Sequence, residues 1–253
     1  MKTPVVIIGM GEIGGVFARA FLRSGFPVYP VVRGMALADT AANMPEPELV
    51  LVAVAEADLD SVLEGMPDDW RDRLVLLQNE LLPAHWQRYG LKPSVISVWF
   101  EKKKGRDVKV IISSPVYGRH ARLVVDALDS IGIAARELAS ERELLFELVL
   151  KNVYILTTNI AGLKNNCNVG ELWSRHQSLA RRIAAEVIRL QEQLTGETLD
   201  ADALISGMVH AFEGDFEHSC MGRSAPARLK RALAQAQEYG LRLETLEEIS
   251  TLT

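Results

Sequence analysis

The first half of the chain alternates short, wholly apolar runs with amphipathic stretches. Val5–Ile8 is apolar at every position, as expected of a strand buried on both faces. Ile13, Phe17, Ala20 and Phe21 then recur at helical spacing, predicting a helix over 13–22. Further apolar runs predict strands over 27–32, 49–54, 74–77 and 95–100, with a helix over 58–63. A charge run over 101–109 containing Gly105 reads as a solvated turn. It leads to a strand over 108–113, a helix over 119–130 and a short strand over 133–137. Strands separated by helices imply βαβ units and a parallel sheet. Sixteen residues separate the second and third predicted strands, so that crossover is abbreviated.

The pattern changes near residue 138. Ser140 and Glu143 form a Ser-x-x-Glu capping signature, which opens a helical pattern running to about Leu163 without proline. Helices are predicted over 174–194, with Leu179, Ile183, Val187 and Leu190 on one face, and over 200–212 and 225–239. The expected architecture is an α/β domain with a parallel sheet over 1–138 and an all-α domain over 139–253.

Composition narrows the function. A chain of 253 residues divides into about 1.7 average domains, and the motif pattern decides for two. The net charge of −5 argues against nucleic acid or an anionic membrane as the main partner. The first apolar run is too short for a signal peptide or a membrane span, so a cytoplasmic location is expected. Cys167 and Cys220 have no metal-ligand spacing, so no metal site is expected. One disulfide is arithmetically open, with two free thiols the preferred reading for a reducing compartment.

Residues Gly9-Met10-Gly11-Glu12-Ile13-Gly14 form a Gly-x-Gly-x-x-Gly between a buried strand and a helix. That context makes it a Rossmann dinucleotide fingerprint. Gly9 suits the tight turn, Gly11 the approach of a pyrophosphate, and Gly14 close packing of helix on strand. The diphosphate would rest on the N–H groups at the helix start. Val31-Val32-Arg33-Gly34 ends the second strand. Arg33 cannot accept a hydrogen bond from a ribose 2′-hydroxyl, but its fork suits a 2′-phosphate, so the cofactor expected is NADP(H). A solvated surface arginine is the alternative reading.

Lys151, Ile155, Thr158 and Asn159 share one face of the first long helix of the second half. A lysine amid Leu148-Val149-Leu150 and Val153-Tyr154-Ile155 is unusual, because burying an ammonium is costly. Two readings stand: a lysine that snorkels or pairs with Glu147, and a desolvated proton donor whose pKa burial lowers.

With these residues in view, the sequence resembles the ketopantoate reductase family, within the 6-phosphogluconate-dehydrogenase-like enzymes. The glycine motif with Arg33 carries the resemblance, as does Leu76-Leu77-Gln78-Asn79, which is similar to a Leu-Gln-Asn-Gly turn beside the cofactor. So do Lys151-Asn152-Val153 through Asn159-Ile160-Ala161-Gly162-Leu163 and Gly170-Glu171-Leu172, where the following loop enters the next helix. The resemblance implies that Lys151 donates a proton while NADPH delivers hydride to a 2-oxo acid. It also implies that Asn79 and Asn159 position cofactor and substrate.

Four departures from the family's pattern bear on cofactor and substrate. Glu80 stands where the family has glycine, Ala55 where it often has lysine, and Ile155 where it has a second asparagine. Ala225-Pro226-Ala227-Arg228 replaces a segment whose glutamate contacts substrate, which implies a more anionic substrate than ketopantoate. Arg228 and His218 are therefore the candidate substrate contacts. The expected protein is an NADP(H)-dependent reductase of a small 2-oxo acid or related carbonyl or imine, acting in a cleft between its domains. The apolar face over 174–194 suggests a homodimer. The alternative is a non-catalytic regulatory protein that retains NADP(H) binding.

Overall fold

The computed structural model describes residues 2–252, and these divide into two compact units, one up to Leu148 and one from Val149 onward. The first begins with β1 (Val5–Ile8), α1 (Glu12–Arg23), β2 (Val28–Val31), α2 (Leu37–Asn43) and β3 (Val50–Val52). After α3 (Leu59–Glu64) come β4 (Leu74–Leu76), the one-turn α4 (Ala84–Gln87) and β5 (Ser94–Ile96). A small hairpin of β6 (Phe100–Glu101) and β7 (Lys109–Val110) leads to β8 (Ser114–Tyr117), α5 (Ala121–Asp129) and β9 (Ala135–Glu137).

Seven strands form one sheet in the order β2-β1-β3-β4-β5-β8-β9. The first five run parallel, whereas β8 lies antiparallel to β5 and parallel to β9. The apolar runs fill both faces. Val6, Ile8, Val50 and Val52 join Trp70 and Leu76 in one core, while Val5, Ile7, Leu49 and Leu51 join Phe17, Phe21 and Leu128 in the other. The period of two along each strand divides these residues between the faces, so the runs read as continuous rather than alternating.

The sheet departs from the sequence expectation at its far side. The run over 95–100 is not one strand: β5 ends at Ile96, the Ser97 N–H makes one further bond to β8, and Phe100 pairs with Val110 in the hairpin. The strand expected over 108–113 is reduced to β7, and the sheet strand is instead Ser114–Tyr117, whose Pro115 masks it in the sequence. Pro115 is tolerated because its carbonyl, not an N–H, meets the neighbouring segment, accepting from the Ser97 N–H at 3.0 Å. The sheet is mostly parallel as expected, with β8 the strand that runs antiparallel to its neighbour β5.

The second unit is helical. Its main element, α6 (Glu141–Lys164), starts before the division and is opened by Ser140, whose hydroxyl accepts from the Glu143 N–H at 3.2 Å. The Glu143 carboxylate reaches the Ala139 N–H rather than that of Ser140. Alone among the described helices, α6 is long and apolar enough to cross a membrane, yet 83% of that window is buried within the protein. Its environment is that of a core helix.

α7 (Val169–Arg175), α8 (Gln177–Thr195), α9 (Ala201–Gly214), α10 (Ala225–Glu238) and α11 (Glu244–Ser250) complete the unit. α7 stands as a helix of its own ahead of the one expected over 174–194, with His176 between them. The signal for it is Asn168-x-x-Glu171, a reciprocal capping box in which Asn168 Oδ1 accepts from the Glu171 N–H at 2.8 Å. α2, α4 and α11 were also unassigned, each too short to show a helical period. Leu179, Ile183, Val187 and Leu190 on α8 are buried within the chain, so the face that suggested a homodimer is already covered.

Candidate functional site

In the first unit the glycine loop carries the site. Gly9 has φ +97°, and a Cβ there would lie 2.7 Å from the Ala53 carbonyl oxygen, so the turn admits only glycine. A Cβ on Gly14 would lie 2.1 Å from the Gly9 carbonyl oxygen, which seats α1 against the loop. Gly11 differs, because a Cβ there would meet no atom within 4 Å. Packing explains two of the glycines, and the third opens onto space. Gly11 is also the N-cap of α1 and provides no side-chain acceptor, so the first-turn N–H groups have no cap from this residue. An uncapped helix start of this kind has N–H groups that can receive an anion.

Met10 and Glu12 are exposed at the loop, with Glu12 3.9 Å from Lys102, while half-buried Ile13 packs into the core shared with Phe17. A cavity of about 580 Å³ opens beside them, lined by Met10, Gly11, Glu12, Arg19, Lys102 and Asp107 among others. Arg33 and Asn79 do not line it. Arg33 is exposed just beyond β2, and the residues there include no carboxylate to meet a ribose 2′-hydroxyl.

The strand order reverses between β1 and β3, the place where such sheets take ligands, and the turn after β4 lies next along the sheet. Gln78 Nε2 donates to the carbonyls of Val52 at 2.7 Å and Val54 at 3.3 Å, bracing the end of β3 from the end of β4. Asn79 Nδ2 donates to Glu56 Oε1 at 3.1 Å. Glu80 follows with φ 58°, the one non-glycine residue at positive φ among those described. The backbone therefore takes the left-handed turn that glycine provides in the motif Leu76–Asn79 resembles, and a glutamate bears its strain.

In the second unit the predicted residues converge. Lys151 is 9% exposed, and its Nζ lies 5.8 Å from the centroid of the Tyr154 ring. Tyr154 packs against Phe212, and against His218 with ring centroids 6.3 Å apart. His218 Nδ1 is in turn 3.8 Å from Asp215 Oδ2. Two turns along α6 from Lys151, Asn159 Oδ1 accepts from Arg228 Nη1 at 2.9 Å. Burial, followed by repulsion from the Arg228 guanidinium, lowers Lys151 to a pKa of about 7. Glu147, the alternative partner for this lysine, is engaged by Arg136.

The surroundings hold these groups. Asn152 Nδ2 donates to Gln191 Oε1 at 2.9 Å and fixes α6 to α8. Thr158 Oγ1 donates back to the Tyr154 carbonyl at 2.8 Å. A Cβ on Gly162 would lie 2.9 Å from the Cys220 carbonyl carbon and from Met221, so the strand-like approach to α10 crosses α6 directly there. Sequence reading gave Tyr154 no part in the site, although it lies between Lys151 and His218; an aromatic residue one turn after the lysine was the available signal.

A mostly parallel, dinucleotide-type sheet followed by an all-α unit defines the fold class of the ketopantoate reductases. No protein-family model matches the sequence, and no curated protein does. Solved structures do match over nearly the whole chain. A ketopantoate reductase of the PanE/ApbA family from Ralstonia eutropha is 16% identical, with 98% of this chain and 96% of that one covered and a TM-score of 0.69. A dimeric ketopantoate reductase from Staphylococcus aureus is 16% identical, with 98% and 96% covered and a TM-score of 0.67. D-mandelate dehydrogenase in complex with NADH is 15% identical, with 98% and 97% covered and a TM-score of 0.70. At such identities the common property is the fold.

Proposed function

We propose that the chain is an NADP(H)-dependent reductase of small 2-oxo acids, with a related carbonyl or imine as the wider substrate class. The observation that carries this reading is Lys151: an ammonium buried in a core helix, with a pKa of about 7, aligned with Asn159 and beside Arg228. An acid with its pKa near the working pH is what protonation of a developing alkoxide needs. Two enzyme types found among the structural neighbours, ketopantoate reductase and D-mandelate dehydrogenase, are named for a 2-oxo acid and a 2-hydroxy acid.

The roles follow from the chemistry of each group. The α1 N-terminus and Gly11 would hold the diphosphate of the cofactor, and Arg33 the 2′-phosphate. When bound, the reduced nicotinamide supplies the hydride. Lys151 Nζ gives its proton to the substrate oxygen and becomes a neutral amine, which burial favours. Arg228 pairs with the substrate carboxylate through its fork, and Asn159, already tied to Arg228, orients the carbonyl. His218 borders the same cluster through Tyr154. A homodimer remains part of the proposal on the strength of the dimeric neighbour of this fold.

The rival reading, a binding protein without turnover, is favoured by one contact. Asn79, expected to serve the cofactor, spends its amide on the Glu56 carboxylate. Following NADPH absorbance with a panel of 2-oxo acids separates the two: consumption supports the reductase, whereas tight NADPH binding without consumption supports the rival.

A further inference from the structure

Cys167 and Cys220 meet in an arrangement that neither the glycine loop nor the Lys151 cluster uses. The loop after α6 and the segment before α10 run antiparallel around an isolated bridge between Asn168 and Ser219. The Val169 N–H donates to the His218 carbonyl at 2.9 Å, and the Cys220 N–H donates to the Cys167 carbonyl at 3.1 Å. Counting outward from the bridge places Cys167 directly opposite Cys220. Directly opposed residues on antiparallel segments have Cα atoms about 4.5–5.5 Å apart, inside the range a disulfide spans. The two Sγ atoms are already 4.0 Å apart, and both thiols are free. Closing that gap to a bond needs side-chain rotation only.

We infer that Cys167 and Cys220 are a reversible disulfide site. Cys167 is partly exposed and Cys220 buried, which sets the order of events. The Cys167 thiolate attacks a low-molecular-weight disulfide such as oxidised glutathione, forming a mixed disulfide and releasing one thiolate. Cys220, deprotonated, then attacks the Cys167 sulfur and expels the second. Two protein thiols are oxidised and one glutathione disulfide is reduced to two thiols. Burial raises the pKa of both cysteines, so the reaction is slow at neutral pH and quickens as pH rises.

The bond would tie down the segment that presents Arg228. Cys220 and Met221 cross α6 at Gly162, three residues after Asn159, and a Cβ on Gly222 would lie 3.9 Å from Asn159 Oδ1. A link between positions 53 residues apart restricts the unfolded chain substantially.

The test equilibrates the full chain in glutathione buffers of graded oxidation, quenches by alkylation and maps the peptides by mass. The expected result is joint loss of both thiols, a Cys167–Cys220 cross-linked peptide, and full recovery with dithiothreitol. The oxidised protein should melt about 5–10 °C above the reduced one. Cys167→Ser should abolish the cross-link and the shift and leave Cys220 unmodified. Cys220→Ala, which keeps the site apolar, should stop Cys167 at the mixed disulfide. A wild-type chain that retains both thiols in fully oxidised buffer, or halts at a mixed disulfide on Cys167, overturns the inference.

Discussion

Arg228 Nη1 donates to Asn159 Oδ1 at 2.9 Å, joining the first turn of α10 to the C-terminal part of α6. The same guanidinium is the charged neighbour that depresses Lys151. One cation thereby holds the orientation of an amide and adds to the effect of burial on the acidity of an ammonium, and an anion bound to Arg228 would relieve that repulsion.

Arg228→Gln should raise KM for 2-oxo acids about 10–100-fold, the worth of a charge-assisted contact. Neutral carbonyl compounds should be affected much less. With the repulsion gone, Lys151 holds its proton to higher pH, so the falling limb of the kcat/KM profile should move up. Steady-state kinetics across pH measure both effects.

For Lys151 itself the sign is set by which form works. The ammonium is the acid, so carbonyl reduction should fall tenfold per pH unit above about 7. Lys151→Ala should cost about 10²–10⁴ in kcat while NADPH affinity, read by fluorescence titration, stays unchanged.

Stability carries the same signature. Between about 7 and the ordinary 10.5 the unfolded chain binds the Lys151 proton and the folded chain does not. Folding stability should therefore rise with pH through that window, by up to about 1.4 kcal/mol per unit, and level off above it. Lys151→Met should flatten that dependence in denaturant titrations at several pH values.

The glycine loop separates packing from ligand binding. Gly14→Ala puts a methyl 2.1 Å from a backbone oxygen and should destabilise the fold. Gly11→Ala meets nothing within 4 Å, so it should melt like the parent and lose NADPH affinity. Differential scanning fluorimetry with and without NADPH distinguishes them.

Glu80→Gly relieves a left-handed residue and should stabilise the protein by about 0.5–1 kcal/mol, after the extra freedom glycine brings to the unfolded chain. Chemical denaturation measures it.

Much of this was legible from residue order. Strands buried on both faces announce themselves as unbroken apolar runs, and the glycine motif needs only a preceding strand to be read. The far side of the sheet was illegible because β8 contains Pro115, which disguises a strand whose proline carbonyl does the pairing. α7 was hidden because its seven residues are too few for a period, although its Asn168–Glu171 cap was visible in principle. In the site, Lys151 and Asn159 could be aligned by helical spacing alone. That Arg228, 69 residues further on, would bond Asn159 depends on tertiary packing, which no local pattern encodes.

The central claim is hydride transfer from bound NADPH with Lys151 as the acid. It is tested most directly with NADPH deuterated at the transferring C4 position and a panel of 2-oxo acids, the products being weighed by mass spectrometry. The account predicts a 2-hydroxy acid one mass unit heavier from the wild-type chain, and a rate lowered by orders of magnitude for Lys151→Ala. NADPH that binds yet yields no labelled product with any member of the panel, or a Lys151→Ala variant as fast as the parent, would contradict it.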